Sequence, residues 1–314
     1  MAFNHKHLID LTEYSCDDIM QILETALVMK EVNERKVKKL PTLKGLTVVN
    51  MFNEPSTRTR SSFELAEKRL SCDTLNFGGS STSSVKGESL ADTMETLSAY
   101  KIDCVVVRDK YAGVPEYISH HTNASIIDAG DGKHQHPTQA LLDLFSIWRA
   151  KGHLDGLKVA VVGDIGHSRV CGSLIPALKI VGAEVTVVAP NTLLPARPEI
   201  LGADHVSSNF NDVLPEMDVV YMLRIQRERL EGAPYPSLRE YNMLYGLTKK
   251  RDKLMKPDAI ICHPGPINRG VELDSFMADH PERSVILDQV YSGICTRMSV
   301  LYWLLGGSEN GITD

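Results

Sequence analysis

A chain of 314 residues, 43% hydrophobic and 24% charged, has the composition of a globular protein and enough length to bury more than one core, so two domains are expected. Its apolar runs, such as residues 300–305, fall well short of a membrane span, and its first residues lack the apolar stretch of a secretory signal, so a cytoplasmic protein with no membrane partner is expected. The net charge of −6 argues against a broad nucleic-acid surface, and the 6 cysteines (Cys16, Cys72, Cys104, Cys171, Cys262, Cys295) show no C-x-x-C pair, so they read as buried free thiols rather than a metal or redox centre.

Strand-like and helix-like segments alternate along the chain, which is the pattern of an α/β fold with parallel sheets. A helix is predicted over residues 15–32. Residues 46–52 are nearly continuous in β-formers, as a strand buried on both faces requires, and 62–70 carry apolar residues at helical spacing. There follow a strand at 73–77, a Ser/Thr/Gly-rich loop at 78–84, a helix at 88–100 and a buried strand at 103–108. A helical segment at 117–121 and a strand at 125–129 come next. A long helix from about 136 to 152 leads into a second unit, with a strand at 158–164 and a helix at 168–181. Strands at 184–188, 219–223 and 259–262 and a final helix at 286–305 complete the order. Pro176 predicts a kink or an early break in the helix that contains it.

One handover from strand to helix is unusually rich in chemistry. Ser56-Thr57-Arg58-Thr59-Arg60 lies where a buried strand gives way to a helix, so unpaired N–H groups and the positive end of the helix dipole face the hydroxyls and guanidinium. The ordinary alternative is a Ser/Thr cap beside a solvated arginine. Four consecutive phosphate-competent side chains and a second arginine exceed what capping requires, so an anion cradle, for a phosphate, is the better reading. In an acidic protein such positive charge must be concentrated locally.

Ligands of open parallel sheets lie beyond the C-terminal strand ends, and Arg58, Arg108, Asp164, Arg224 and His263 all fall at or just past such ends. Taken alone, Arg108 reads equally as a loop residue paired with Asp109 or Glu116. His136, just before Pro137 at the favoured first helical position, reads alone as a cap or surface residue. The segment from Gly163 to Arg169 follows a strand but lacks the glycines of a dinucleotide loop, which disfavours a nicotinamide dehydrogenase.

The Ser56–Arg60 stretch resembles the carbamoyl-phosphate loop of the aspartate and ornithine carbamoyltransferases. His136-Pro137-Thr138-Gln139 and His263-Pro264-Gly265-Pro266 resemble that family's other two landmarks, in the same order, and the likeness runs from about residue 8 to 305. The resemblance implies two Rossmann-like domains, each a parallel sheet flanked by helices, with the C-terminal helix returning to the first. Residues 1–138 plus 293–314 would bind carbamoyl phosphate and 139–292 aspartate.

Around carbamoyl phosphate it places Ser56, Thr57, Arg58, Thr59, Arg108, His136, Gln139, Gly265 and Pro266. Arg58, Thr59, Arg108, His136 and Lys86 would be catalytic. Ser83 and Lys86 would reach a neighbouring subunit's site, with Ser81 and Ser84 open as alternatives to Ser83. The loop that carries them has one lysine and looks one residue shorter than the enteric pattern. Around aspartate it places Lys86, Arg169, Arg224 and Gln226, and two guanidinium forks suit a dicarboxylate. The family commonly has leucine or alanine where Gly265 stands, and glycine is expected to loosen that turn.

Ornithine-specific relatives carry a cysteine in this last motif and a Ser-Met-Gly signature, both absent here, so L-aspartate is the expected acceptor. The implied reaction is direct attack of its amine on carbamoyl phosphate, giving N-carbamoyl-L-aspartate for pyrimidine synthesis, with no covalent enzyme intermediate, metal or cofactor. A homotrimer with sites at subunit interfaces is implied, and regulatory or dihydroorotase partners stay open. The alternatives are transfer to ornithine or another amine, and a non-catalytic ligand-binding relative.

Overall fold

A computed structural model describes residues 3–78, 88–226 and 237–306. The elements in order are α1 (Cys16–Glu34), β1 (Thr47–Phe52), α2 (Thr57–Arg69), β2 (Asp73–Phe77), α3 (Leu90–Ala99), β3 (Cys104–Asp109), α4 (Val114–Ser119), β4 (Ser125–Asp131), α5 (Pro137–Lys151), β5 (Lys158–Val162) and α6 (Arg169–Ile180). Then come β6 (Glu184–Val188), β7 (His205–Ser207), α7 (Phe210–Val213), β8 (Val219–Met222), α8 (Leu238–Tyr245), α9 (Lys249–Asp252), β9 (Ile260–Cys262), α10 (Ser275–Ala278) and α11 (Ile286–Leu304). The chain divides into one compact unit of Met1–Leu142 with Val290–Asp314 and a second of Asp143–Gln289, so the division falls inside α5 and α11.

In the first unit the sheet order is β2-β1-β3-β4, all parallel. Alternation along the strands sends Val49, Met51, Val105, Val107 and Ile126 to one face, where they pack with Met94 and Leu97 of α3 and Ile118 of α4. Asn50, one residue out of phase, instead donates to Glu67 of α2 (3.0 Å). α1 begins at a reciprocal Ser15/Asp18 capping box. Onto it packs the C-terminal part of α11, through Trp303 Nε1 to Thr25 Oγ1 (2.9 Å) and Ser299 Oγ to the Ile22 carbonyl (2.7 Å).

In the second unit the order is β7-β6-β5-β8-β9, again all parallel. Of the kink or early break expected at Pro176, the break does not occur: α6 runs on through it. An interior proline costs about 3 kcal/mol. Leu174, Ile175 and Leu178 around it are fully buried, each worth about 1.5–3 kcal/mol, and together they outweigh that loss. The helical segment expected at 117–121 forms earlier, as α4, because Pro115 favours the first helical turn. Five cysteines are buried, as expected, but Cys16 is exposed on the first turn of α1.

Candidate active site

Each sheet has one point where successive connections leave in opposite directions: between β1 and β3 in the first unit, and between β5 and β8 in the second. In open α/β sheets that crevice, at the C-terminal strand ends, is where ligands sit. The candidate residues fall around these two points.

In the first unit, Ser56 occupies the N-cap position of α2 with extended backbone (φ −157°, ψ 99°), yet its hydroxyl makes no capping bond. Capping therefore does not account for it. Thr57, Arg58 and Thr59 form the first helical turn, a start five residues earlier than the apolar spacing indicated, so their N–H groups lie where a helix lacks internal partners. Thr59 is buried and Arg58 exposed. Arg60 turns away to Glu64 (3.0 Å), leaving Arg58 as the loop's contribution.

Arg108 stands opposite Phe52 in the β1–β3 register, so its side chain starts beside the loop after β1. It donates to the Ala129 carbonyl (3.0 Å) and pairs with Glu54 at 3.6 Å, and Asn53 N–H bonds the Arg108 carbonyl (2.9 Å). Glu54, within the loop itself, is thus a charge partner of Arg108. Asp109 accepts from Asn53 Nδ2 (2.8 Å) and from Tyr111 N–H (2.9 Å).

His136 and Gln139, both buried, lie at the start of α5, where the His136 carbonyl accepts from the Gln139 N–H (2.9 Å). The loop that delivers them is fixed by Asp131. Its carboxylate accepts from Gln135 N–H and Gly113 N–H, both at 2.7 Å, and lies 3.1 Å from His134 Nδ1. Gly132 holds φ +50°, and a Cβ there would come within 2.9 Å of the Ala112 nitrogen.

In the second unit, Asp164 and Arg169 follow β5, both buried, with Asp164 Oδ1 bonded to His167 Nδ1 at 2.7 Å. Arg224 and Gln226, half-buried, follow β8. His263-Pro264-Gly265-Pro266 follows β9. This turn is held, not loose: Gly265 N–H donates to His263 Nδ1 (2.8 Å), and Gly265 has φ +66°, a conformation that glycine adopts without strain. His263 N–H donates to Gln289 Oε1 (2.9 Å), Gln289 Nε2 to Asp143 Oδ1 (2.7 Å), and Tyr221 Oη to Asp143 Oδ2 (2.6 Å), all buried. This chain of bonds ties the end of β9 to β8.

The structure therefore brings Ser56, Thr57, Arg58, Thr59, Arg108, His136 and Gln139 to adjacent strand ends of one sheet. It brings Arg169, Arg224, Gln226, Gly265 and Pro266 to adjacent strand ends of the other. Lys86 and Ser83, with Ser81 and Ser84, lie outside the described residues. Sequence reasoning gave no role to Glu54, Asp131 or Arg297. Arg297 on α11 is buried, donates to Ser62 Oγ of α2 (2.9 Å), and lies over the Phe63 ring at 5.0 Å. A lone arginine inside the otherwise uncharged residues 294–301 was the available signal, since an arginine is seldom fully buried without partners. Burial pushes the Cys72 and Cys171 thiols up to about 12, so neither is a thiolate at neutral pH.

Fold and site together define the class: a two-unit α/β protein of parallel sheets, with arginines and hydroxyl or amide groups gathered at both switch points. The chain belongs to the aspartate/ornithine carbamoyltransferase family. The family's carbamoyl-P binding domain matches residues 6–149 and its Asp/Orn binding domain residues 155–304. The chain is 53% identical over 309 residues to the aspartate carbamoyltransferase catalytic subunit of Syntrophotalea carbinolica, covering 98% of each.

Among solved structures it is similar to the aspartate transcarbamoylase of Trypanosoma cruzi. Bound to carbamoyl phosphate and aspartate, that chain gives a TM-score of 0.87 at 30% identity, with 98% of each chain covered. Bound to N-(phosphonacetyl)-L-aspartic acid it gives 0.88. Ornithine carbamoyltransferase from Pyrococcus furiosus gives 0.86 at 28% identity, covering 98% of this chain and 100% of that one.

Proposed function

We propose that this chain transfers the carbamoyl group of carbamoyl phosphate to the amine of L-aspartate, giving N-carbamoyl-L-aspartate and phosphate, a step of pyrimidine synthesis. The observation that carries this reading is the placement of Arg58 and Arg108 at one switch point and of Arg169 and Arg224 at the other. The first pair, with three hydroxyls and a helix N-terminus, suits the phosphate group of an acyl phosphate. The second pair suits a dicarboxylate.

Backbone similarity does not separate the two acceptors, since the aspartate and ornithine enzymes match at 0.87 and 0.86. The 53% identity to an aspartate carbamoyltransferase catalytic subunit supports aspartate, as does an arginine pair that would repel a second ammonium group.

The amine nitrogen attacks the carbamoyl carbon, the bond to the phosphate oxygen breaks, and the departing phosphate is a base able to carry off the amine proton. Thr59, Arg108 and His136 stabilise the carbonyl oxygen as it becomes negative, and one such donor is commonly worth about a hundred- to a thousandfold in rate. Arg58 and Lys86 offset charge on the phosphate, with Ser56, Thr57 and Ser83 as further donors. Gln139 and the carbonyls around Gly265 and Pro266 hold the carbamoyl nitrogen. Arg169, Arg224, Gln226 and Lys86 hold aspartate, and such positioning lowers a barrier by about 7–11 kcal/mol.

The working assembly in this reading is a cytoplasmic homotrimer in which Lys86 acts in a neighbour's site. The relatives' designation as catalytic subunits supports an assembly and leaves room for regulatory or dihydroorotase partners. Among the described residues no helix is long and apolar enough to cross a membrane.

The test is steady-state carbamoyl transfer from one donor, carbamoyl phosphate, to L-aspartate, L-ornithine and other amino acids. Aspartate should exceed the rest by orders of magnitude in kcat/KM. Equal or greater transfer to ornithine overturns the assignment, and no transfer to any amine favours a ligand-binding relative.

A further inference from the structure

The mechanism leaves one fully buried carboxylate of the second unit without a task. Glu272 has no exposed surface, and neither does the His263 side chain beside it. One oxygen, Oε1, holds two points of the β9–α10 connection. It accepts from the backbone N–H of Asn268 (2.5 Å) and lies 3.3 Å from His263 Nε2. Because His263 Nδ1 already accepts from the Gly265 N–H, that nitrogen is unprotonated and the ring's hydrogen sits on Nε2, directed to Glu272. The carboxylate thus sets the tautomer that lets His263 hold the Gly265 turn.

The second arm runs the other way. Asn268, its N–H fixed by Glu272, sends its side-chain Nδ2 to the carbonyl of Ile225 (3.3 Å). Ile225 is buried and lies between Arg224 and Gln226, the two β8-end residues assigned to aspartate. A shift of this peptide moves the origins of both side chains.

We propose that Glu272 is a positioning residue for the acceptor side of the reaction: through Asn268 it sets the backbone from which Arg224 and Gln226 reach the dicarboxylate, and through His263 it sets the turn at Gly265. The inference rests on the proposed function, because aspartate is the ligand being positioned. A burial role alone would make Glu272 matter for stability and not for substrate preference, and the two separate cleanly in kinetics.

The experiment compares the full-length wild type with Glu272→Ala, Glu272→Gln and Asn268→Ala, each assayed for KM of aspartate, KM of carbamoyl phosphate and kcat. Glutamine keeps an acceptor oxygen for both bonds, so Glu272→Gln should stay within about threefold of wild type. Glu272→Ala should raise the aspartate KM about ten- to a hundredfold, more than it lowers kcat.

Asn268→Ala keeps its backbone N–H to Glu272 and loses only the link to Ile225. It should raise the aspartate KM several-fold with the carbamoyl phosphate KM unchanged. This half-exposed position also keeps the test decisive if Glu272→Ala does not fold. An unchanged aspartate KM in Asn268→Ala, or an equal loss in Glu272→Gln and Glu272→Ala, overturns the proposal. A wild type that carries no carbamoyl group to aspartate overturns the proposed function instead.

Discussion

The two switch points solve the same electrostatic problem by different means. In the first unit the three hydroxyls and Arg58 are contiguous, on the N-cap and first turn of α2, and Arg108 joins them from the end of β3. Helix geometry presents the contiguous part. In the second unit Arg169, Arg224 and the Gly265 turn come from separate strand ends, and buried bonds such as Asp143–Tyr221 and Asp143–Gln289 hold the frame. A local site tolerates changes in its surroundings, whereas a dispersed one depends on residues that touch no ligand.

The largest effect expected from breaking this contrast is at Arg58. Arg58→Ala should lower kcat by about a thousandfold or more with unchanged thermal unfolding, because the helix start survives without it. Near-normal turnover would refute its assignment. A mixing experiment sharpens the point. Inactive Arg58→Ala and inactive Lys86→Gln chains, unfolded and reassembled together in equal amounts, should recover roughly a quarter of wild-type activity if each site draws on two subunits. No recovery from well-mixed assemblies would place Lys86 in its own chain's site or outside the chemistry.

Next in size is Arg224→Lys, a change that keeps charge and loses the planar fork. It should raise the aspartate KM about ten- to a hundredfold while the carbamoyl phosphate KM stays near wild type. A larger change for the phosphate donor than for aspartate would reverse the division of labour between the units.

The smallest effect on activity is expected at Glu67, under the first sheet. Burial pushes its carboxyl from 4.5 up to about 7, against the opposing bond from Asn50. The folded chain therefore keeps a proton that the unfolded chain loses, and stability falls as pH rises from about 4.5 through 7. Glu67→Gln should stabilise the protein by about 3 kcal/mol at pH 8 and by little near pH 4.5, read from denaturant midpoints. Equal midpoint shifts at both pH values would contradict the shifted carboxyl.

The contrast between the units also governs what the sequence discloses. Long buried strands such as β1, β3 and β5 are visible as apolar runs, and the Ser56–Arg60 cluster as an excess of anion-binding groups over capping needs. β7, α7, α9 and α10 span three or four residues each, too short for any periodicity to register, and they lie outside the predicted order. At Pro176 the helix does not break, because a local rule met a helix face of buried leucine and isoleucine. Glu54 and Arg297 act through bonds to residues brought near by the fold, which no local spacing encodes, whereas Asp131 and Glu272 bond partners a few residues away in irregular loops that carry no periodicity. Among these, Glu54 was the most accessible, since a carboxylate beside a phosphate cradle calls for a cationic partner.

The most direct test of the central claim, that both arginine pairs serve one reaction, is calorimetric titration with N-(phosphonacetyl)-L-aspartate, which carries a phosphonate and a dicarboxylate in one molecule. The account predicts one site per chain, with Kd weakened at least tenfold by Arg58→Ala and independently by Arg224→Lys. Undiminished affinity in either variant would contradict it.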